Sequence, residues 1–211
     1  MSMNLLYQII FLLGEKNMAL PKRGKKDKEV KKTIYIFCEG TETEVQYLEA
    51  IKQQLRAATV KVKVTGVGRT SEELLQYAIN STERIKDIAG TWIVYDKDAV
   101  TANDLQTTEA RARKADIRVA FTNCSFEVWL LLHYEALNTH SVCDKTVVYR
   151  KLEKHLGIKK YEDHKSDTIM LTNIAQGYKK AIVNNKKLLE MNSNKLNPPY
   201  SNVVELIEYL A

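Results

Sequence analysis

The 211-residue chain is poor in cysteine: Cys38, Cys124 and Cys143 are odd in number, widely spaced and without a CxxC pair. That argues against a disulfide framework and a cysteine-based zinc site, and points to the reducing cytoplasm. No apolar run reaches the roughly 20 residues that a bilayer-spanning helix needs, so no membrane partner is expected. Leu5–Leu13 comes nearest. No basic segment precedes it and no clear small-residue cleavage site follows, so it reads poorly as a signal peptide. No P-loop or GxGxxG occurs, so an ATP-hydrolysing engine would have to be a separate protein. Ser-His-Asp and Cys-His arrangements are also missing. His133, His140, His155 and His164 show no paired spacing, and no internal repeat or long low-complexity linker is found.

What is present is an ordinary globular composition. Hydrophobic residues make up 45%, enough for a core, which excludes disorder throughout. The net charge of +6 suggests nucleic acid until it is located. Residues 18–32 hold seven Lys/Arg against Asp27 and Glu29, leaving residues 33–211 at only +1. The basic character belongs to a short arm that either touches phosphates or is a solvated tail. Met18-Ala-Leu-Pro-Lys-Arg reads as a natural start, so residues 1–17 read as an upstream extension from a mis-chosen start codon. The alternative is a short apolar segment docking on the body or on a partner subunit.

From residue 33 the pattern alternates between strands and helices. Strands are predicted at Thr33–Cys38, Val60–Val64, Thr91–Tyr95 and Ile117–Phe121. Helices are predicted from Thr41 to about Arg56, from an N-cap at Ser71 through Ile85, and over about Asn103–Ala115. Val60, Val62 and Val64 alternate with lysines, the mark of an edge strand; Thr91–Tyr95 is apolar on both faces, the mark of a central one. The βαβαβαβ order implies an α/β fold with a parallel sheet of about four strands covered by helices. Beyond residue 122 come an apolar helix at Ser125–Tyr134, helices at 145–156 and 168–191, a turn at Asn197–Asn202, and a last helix at Val203–Leu210 capped by Ser201 or Asn202. The expected organisation is an N-terminal extension and basic arm over 1–32, a core over 33–140, and a helical part over 141–211 packed on it.

Ligands of open parallel sheets gather beyond the carboxyl ends of the strands. There the first strand breaks into Glu39-Gly40 and the third into Asp96-Lys97-Asp98. Mg²⁺ takes hard oxygen ligands at about 2.1 Å and keeps several waters, so one to three carboxylates suffice. Asp96 and Asp98 leave the strand where both can converge on one ion. Glu39, from the neighbouring strand, offers a third ligand or a general acid/base. Gly40 is suited to a sharp turn and a close approach of backbone to phosphate. Such crowding raises carboxylate pKa values unless a cation compensates. Read blandly, Glu39 is a first-turn acid complementing the helix dipole, and Asp96 and Asp98 are loop or cap residues.

Glu-Gly at one strand end and Asp-x-Asp at another resemble the Toprim domain of topoisomerases, primases and OLD-type nucleases. More narrowly, the chain resembles the RloB-like family of restriction and phage-defence loci. The matching pieces are Cys38-Glu39-Gly40-x-x-Thr43-Glu44-x-x-Tyr47, Tyr95-Asp96-Lys97-Asp98, Asn123-Cys124-Ser125-Phe126-Glu127-Val128-Trp129-Leu130-Leu131-Leu132-His133, and Asn197-Pro198 with Asn202-Val203. Cys124-Ser125 stands where the family usually has a proline-containing turn, and Asn197–Asn202 carries an extra bulky residue.

The resemblance implies a Toprim-like core with Glu39 as acid/base or metal ligand. Asp96 and Asp98 would hold Mg²⁺ or Mn²⁺, with Glu127 as a fourth acid. It also implies a nuclease acting on DNA or RNA in anti-phage or restriction-linked defence, beside a partner ATPase. Glu42 and Glu44 read as structural first-turn acids, though Glu44 fits the family motif. Lys97, between the aspartates, Arg69 after Gly66-Val-Gly68, and Lys165 are candidate phosphate contacts. Two other readings compete. A non-catalytic module binding nucleic acid, nucleotide or a partner fits the near-neutral body. A haloacid-dehalogenase-like phosphatase fits Trp92–Val100 as hhhhDxDxV, except that two strands precede it. The sequence admits an oligomer without indicating one.

Overall fold

Period-two burial builds the sheet. The computed structural model describes residues 32–55, 61–98 and 100–211, so the expectations for residues 1–31, the helix end at Arg56 and the strand start at Val60 lie outside the described residues. Strands β1 (Thr33–Cys38), β2 (Lys61–Gly66), β3 (Ile88–Asp96), β4 (Ile117–Asn123) and β5 (Tyr200–Ser201) lie in the order β2-β1-β3-β4-β5. The first four are parallel and β5 runs antiparallel to β4. Lysine-striped β2 is the edge strand and doubly apolar β3 is central, as the patterns predict.

Alternate residues feed two cores. Ile34, Ile36, Trp92 and Val94 face one side and pack with Tyr47, Leu48 and Ile51 of α1 (Thr43–Leu55) and Leu206 and Ile207 of α8 (Val203–Leu210). Phe37, Ile93, Tyr95 and Phe121 face the other. There they meet Leu74, Leu75 and Ala78 of α2 (Ser71–Thr82) and Leu105 and Ala112 of α3 (Ala102–Lys114). Each large apolar side chain buried this way contributes roughly 1.5–3 kcal/mol. Fully buried Ile36 touches the heart of the first core, so Ile36→Ala should cost about 2–5 kcal/mol.

The remaining helices are α4 (Glu127–Leu131), α5 (Lys145–Leu156), α6 (Thr168–Gln176) and α7 (Tyr178–Met191), with a 3₁₀ turn at Tyr161–His164. They are not a separate layer: α6 packs on α1, α5 on α4, and α7 on β5 and α8. The described residues from Lys32 to Ala211 accordingly form one compact unit.

Several expectations need correction. The four expected parallel strands are all present, and a fifth joins them because Tyr200-Ser201, read as part of a turn, adds to β4 beside Asn123 and Thr122. Asn202 extends that pairing with its side chain: its Oδ1 accepts from Phe121 N–H at 2.7 Å and its Nδ2 donates to the Val119 carbonyl at 3.0 Å. It is therefore committed to β4, and the Ser201 hydroxyl instead accepts from Val203 N–H at 3.3 Å. Residues 168–191 form two helices divided at Gly177, where a Cβ would lie 3.5 Å from the His133 ring. The predicted Ser125–Tyr134 helix is regular only over Glu127–Leu131. Thr70, not Ser71, holds the cap position of α2, its hydroxyl donating to Glu73 at 3.0 Å. A capping box between Thr101 and Asp104 starts α3 at Ala102.

Candidate active site at the carboxyl edge of the sheet

Parallel register brings the two acid-bearing strand ends together. Cys38 pairs with Val94, and Glu39 N–H donates to the Val94 carbonyl at 2.8 Å. Glu39 therefore stands beside the last residues of β3, where Asp96 closes the strand and Lys97 N–H donates to the Thr122 carbonyl at 2.9 Å. The loop after β1 is held from the other side by β2. A Cβ at Gly66 would come within 2.7 Å of Thr41 Cα, so only glycine lets β2 end flush against that loop.

A cleft of about 250 Å³ opens here, lined by Glu39 to Glu44, Asp96, Asp98, Glu127, Lys145, Tyr149 and Lys165. The structure thus brings together Glu39, Gly40, Asp96, Asp98, Glu127 and Lys165 of the predicted set. Two predicted phosphate contacts lie elsewhere. The Arg69 guanidinium lies 5.7 Å from the centre of the Tyr77 ring. The Lys97 ammonium folds onto the Val100 carbonyl, a local bond that turns it out of the cleft.

Glu44, Lys145 and Tyr149 were not among the predicted site residues. Glu44, read as a structural first-turn acid, points back over Gly40. A Cβ at position 40 would fall 2.1 Å from Glu44 Oε2. Gly40 leaves room for that carboxylate to lie where it does; the positive-φ glycines among the described residues are Gly68 and Gly157. Lys145 is the first residue of α5, where a cation opposes the helix dipole. Its compensation is an ion pair with Asp98. Lys165 lies 3.7 Å from buried Glu127 and 4.8 Å from the centre of the Tyr149 ring. The Thr43 hydroxyl at the start of α1 donates to the Lys165 carbonyl at 3.1 Å. The signals for these residues were faint: Glu44 follows a glycine that must leave space, and Lys145 is a cation at a helix start.

The electrostatics are those of crowded acids. Burial, then the Asp98 charge, push the Asp96 carboxyl up to about 8, against the opposing pull of Lys145. Burial, reinforced by Glu127 and Glu39, raises Glu44 to about 7. Burial also raises Glu39, partly offset by a hydrogen bond from the Asp96 backbone. Burial works against the Lys145 and Lys165 ammonium groups, yet Asp98 and Asp96 hold Lys145, and Tyr149 and Glu127 hold Lys165, above their usual range. Glu39 Oε2 and Asp96 Oδ1 are buried with no hydrogen-bond partner. Two buried, unpartnered carboxylate oxygens on residues that line one cleft are an unsatisfied demand that a hard divalent cation would meet. Among the described residues no three His, Cys, Asp or Glu side chains converge as a preformed metal centre.

No histidine is among the residues that line the cleft. His133 is buried between Trp129 and Tyr47: Nδ1–H donates to the Trp129 carbonyl at 3.0 Å and Nε2 lies 3.1 Å from the Tyr47 hydroxyl. Burial pushes its pKa down to about 4, so the ring is neutral and structural. Among the described residues no helix is long and apolar enough to cross a membrane.

A family model described as RloB-like protein matches residues 34–210. No match is found among curated proteins or among solved structures.

Proposed function

The chain belongs to the RloB-like family, and on that premise we propose that the acidic cleft is a Toprim-type, Mg²⁺- or Mn²⁺-dependent site that cleaves phosphodiester bonds of DNA or RNA. The observation that carries this reading is the pair of buried, unpartnered oxygens, Glu39 Oε2 and Asp96 Oδ1, at adjoining strand ends. Glu39, Asp96 and Asp98 would hold the ion, with Glu127 beside them. A bound divalent ion supplies Lewis-acid stabilisation of the charge that develops on the phosphate and lowers the pKa of attacking water.

The chain's own groups supply the rest. Glu44, pushed up to about 7, exchanges a proton near neutral pH and suits general acid/base work. Lys145 and Lys165 reach the cleft from outside the sheet, and their ammonium groups can transfer from Asp98 and Glu127 to a substrate phosphate. The family resemblance supplies the defence setting and a partner ATPase; the absence of a P-loop from the sequence agrees with that division of labour.

A second reading has its own support. Lys145 and Lys165 already neutralise part of the cleft, which favours a non-catalytic module that binds nucleic acid, nucleotide or a partner. Incubating plasmid, single-stranded DNA and RNA with Mg²⁺ or Mn²⁺ separates the two. Cleavage lost by roughly 10²-fold or more in both Glu39→Gln and Asp96→Asn supports the metal site. Cleavage that survives both substitutions refutes it. Tight metal-independent binding without turnover supports the module. Protection from phage by the wild-type locus, lost with Glu39→Gln, tests the defence role.

A further inference from the structure

Cys124 and Cys143 are separated by a tryptophan-bearing helix and a loop, yet the fold sets their sulfurs 3.2 Å apart. Both thiols are free and partly exposed. Cys124 directly follows β4, and Cys143 directly precedes Asp144, the residue that caps α5 by accepting from Val147 N–H at 2.9 Å. Cys143 Sγ also lies 3.9 Å from the Asn123 carbonyl, so the loop before α5 is already seated on the end of β4. Cys38, by contrast, is wholly buried in the first core.

We propose that Cys124 and Cys143 are an oxidation site, which a peroxide closes to an intramolecular disulfide tying the end of β4 to the start of α5. A disulfide needs its sulfurs at about 2.05 Å, so closure asks for an approach of about 1 Å between two partly exposed side chains. The hydrogen bond from Cys124 holds the Cys143 thiol below its ordinary range, against the effect of burial. The same bond pushes Cys124 up. Cys143 is therefore the sulfur that ionises first.

Its thiolate attacks one peroxide oxygen and the O–O bond breaks. The sulfur gains two oxidation equivalents as sulfenic acid, and the other oxygen leaves as water after taking a proton. Cys124 sulfur then attacks the sulfenic sulfur. The S–S bond forms, the S–O bond breaks, and the Cys124 proton leaves with that oxygen as a second water. One peroxide is reduced and two thiols are oxidised. The product would fix the start of α5, and with it Lys145, against the sheet edge that carries the cleft.

The test uses the full chain, reduced, freed of reductant and exposed to stoichiometric hydrogen peroxide. No Lys or Arg lies between Arg118 and Lys145, so trypsin releases both cysteines in one peptide, Val119–Lys145. The expected result is a monomer whose peptide is about 2 Da lighter and resists alkylation, with Cys38 still alkylatable and dithiothreitol restoring the mass. In Cys124→Ser, Cys143 should stop at a sulfenic acid that dimedone captures. In Cys143→Ser, Cys124 should remain a thiol over the same exposure. A wild-type peptide heavier by about 32 Da, the mark of a sulfinic acid, would overturn the proposal. So would a crosslink between molecules, or Cys143→Ser oxidising as fast as wild type.

Discussion

Asp96 closes the central strand with one oxygen buried and unpartnered, and its carboxyl is pushed up to about 8 while Glu44 rises to about 7. In an unfolded chain these groups ionise near 4. Between those values the folded protein holds protons that the unfolded chain releases, so stability falls as pH rises. Without divalent ions the melting temperature should therefore decline from about pH 5 to about pH 8. Added Mg²⁺ or Mn²⁺ should flatten or reverse the decline, because the ion replaces the protons. Calorimetry across that range checks both limbs, and a pH-independent melt in chelator would contradict the assignment. Asp96→Asn should raise the chelator melt at pH 8 while abolishing the response to metal. Gly40→Ala should leave the global melt within a few degrees yet displace the Glu44 carboxylate, cutting cleavage more than stability.

Among the elements, the junction of β5 and α8 is tied to β4 by the Asn202 side chain. Asn202 pairs with Phe121 N–H and the Val119 carbonyl, serving β4 where the short β5 has ended. Asn202→Ala leaves a buried donor and acceptor unpaired, at about 1–3 kcal/mol each. Equilibrium urea unfolding should show the loss as a lower midpoint at unchanged slope. This element was hidden in the sequence: two residues after Pro198-Pro199 carry no period, and Asn202 reads as a cap until β4 claims its amide. The main strands were legible because alternation in β2 and double-faced apolarity in β3 report their places in the sheet. So were Glu39, Asp96 and Asp98, since parallel strands put both strand ends on one edge. Lys145 and Tyr149 were not, because they reach the cleft through packing of α5 on α4, which no local spacing encodes. Cys124 and Cys143 meet for the same reason.

At the scale of the molecule, acids and cations come from different stretches of chain: Glu39, Glu44, Asp96, Asp98 and Glu127 from the first, Lys145 and Lys165 from the second. The fragment 33–140 would lose α5 to α8 and strip the α8 part of the cover from Ile34, Ile36, Trp92 and Val94. It should bind hydrophobic dye, lack near-ultraviolet dichroism and be degraded by low protease concentrations that spare the full chain. A basic arm that touches phosphates would add to nucleic-acid affinity by charge alone. Deleting residues 1–31 should lower the slope of log affinity against log salt for nucleic acid, since each neutralised phosphate contributes about 0.7–0.9 to it.

That division of the cleft between early and late chain also sets an order in time. A ribosome extends the chain at roughly 5–20 residues per second, so Asp98 is polymerised several seconds before Lys165 and longer still before Asn202 can bind β4. A nascent chain therefore holds its acids without the lysines that balance them and without the segment that completes the sheet. Were the cleft to cut nucleic acid as proposed, its full lining would exist only after Lys145 and Lys165 had joined the earlier acids, late in synthesis.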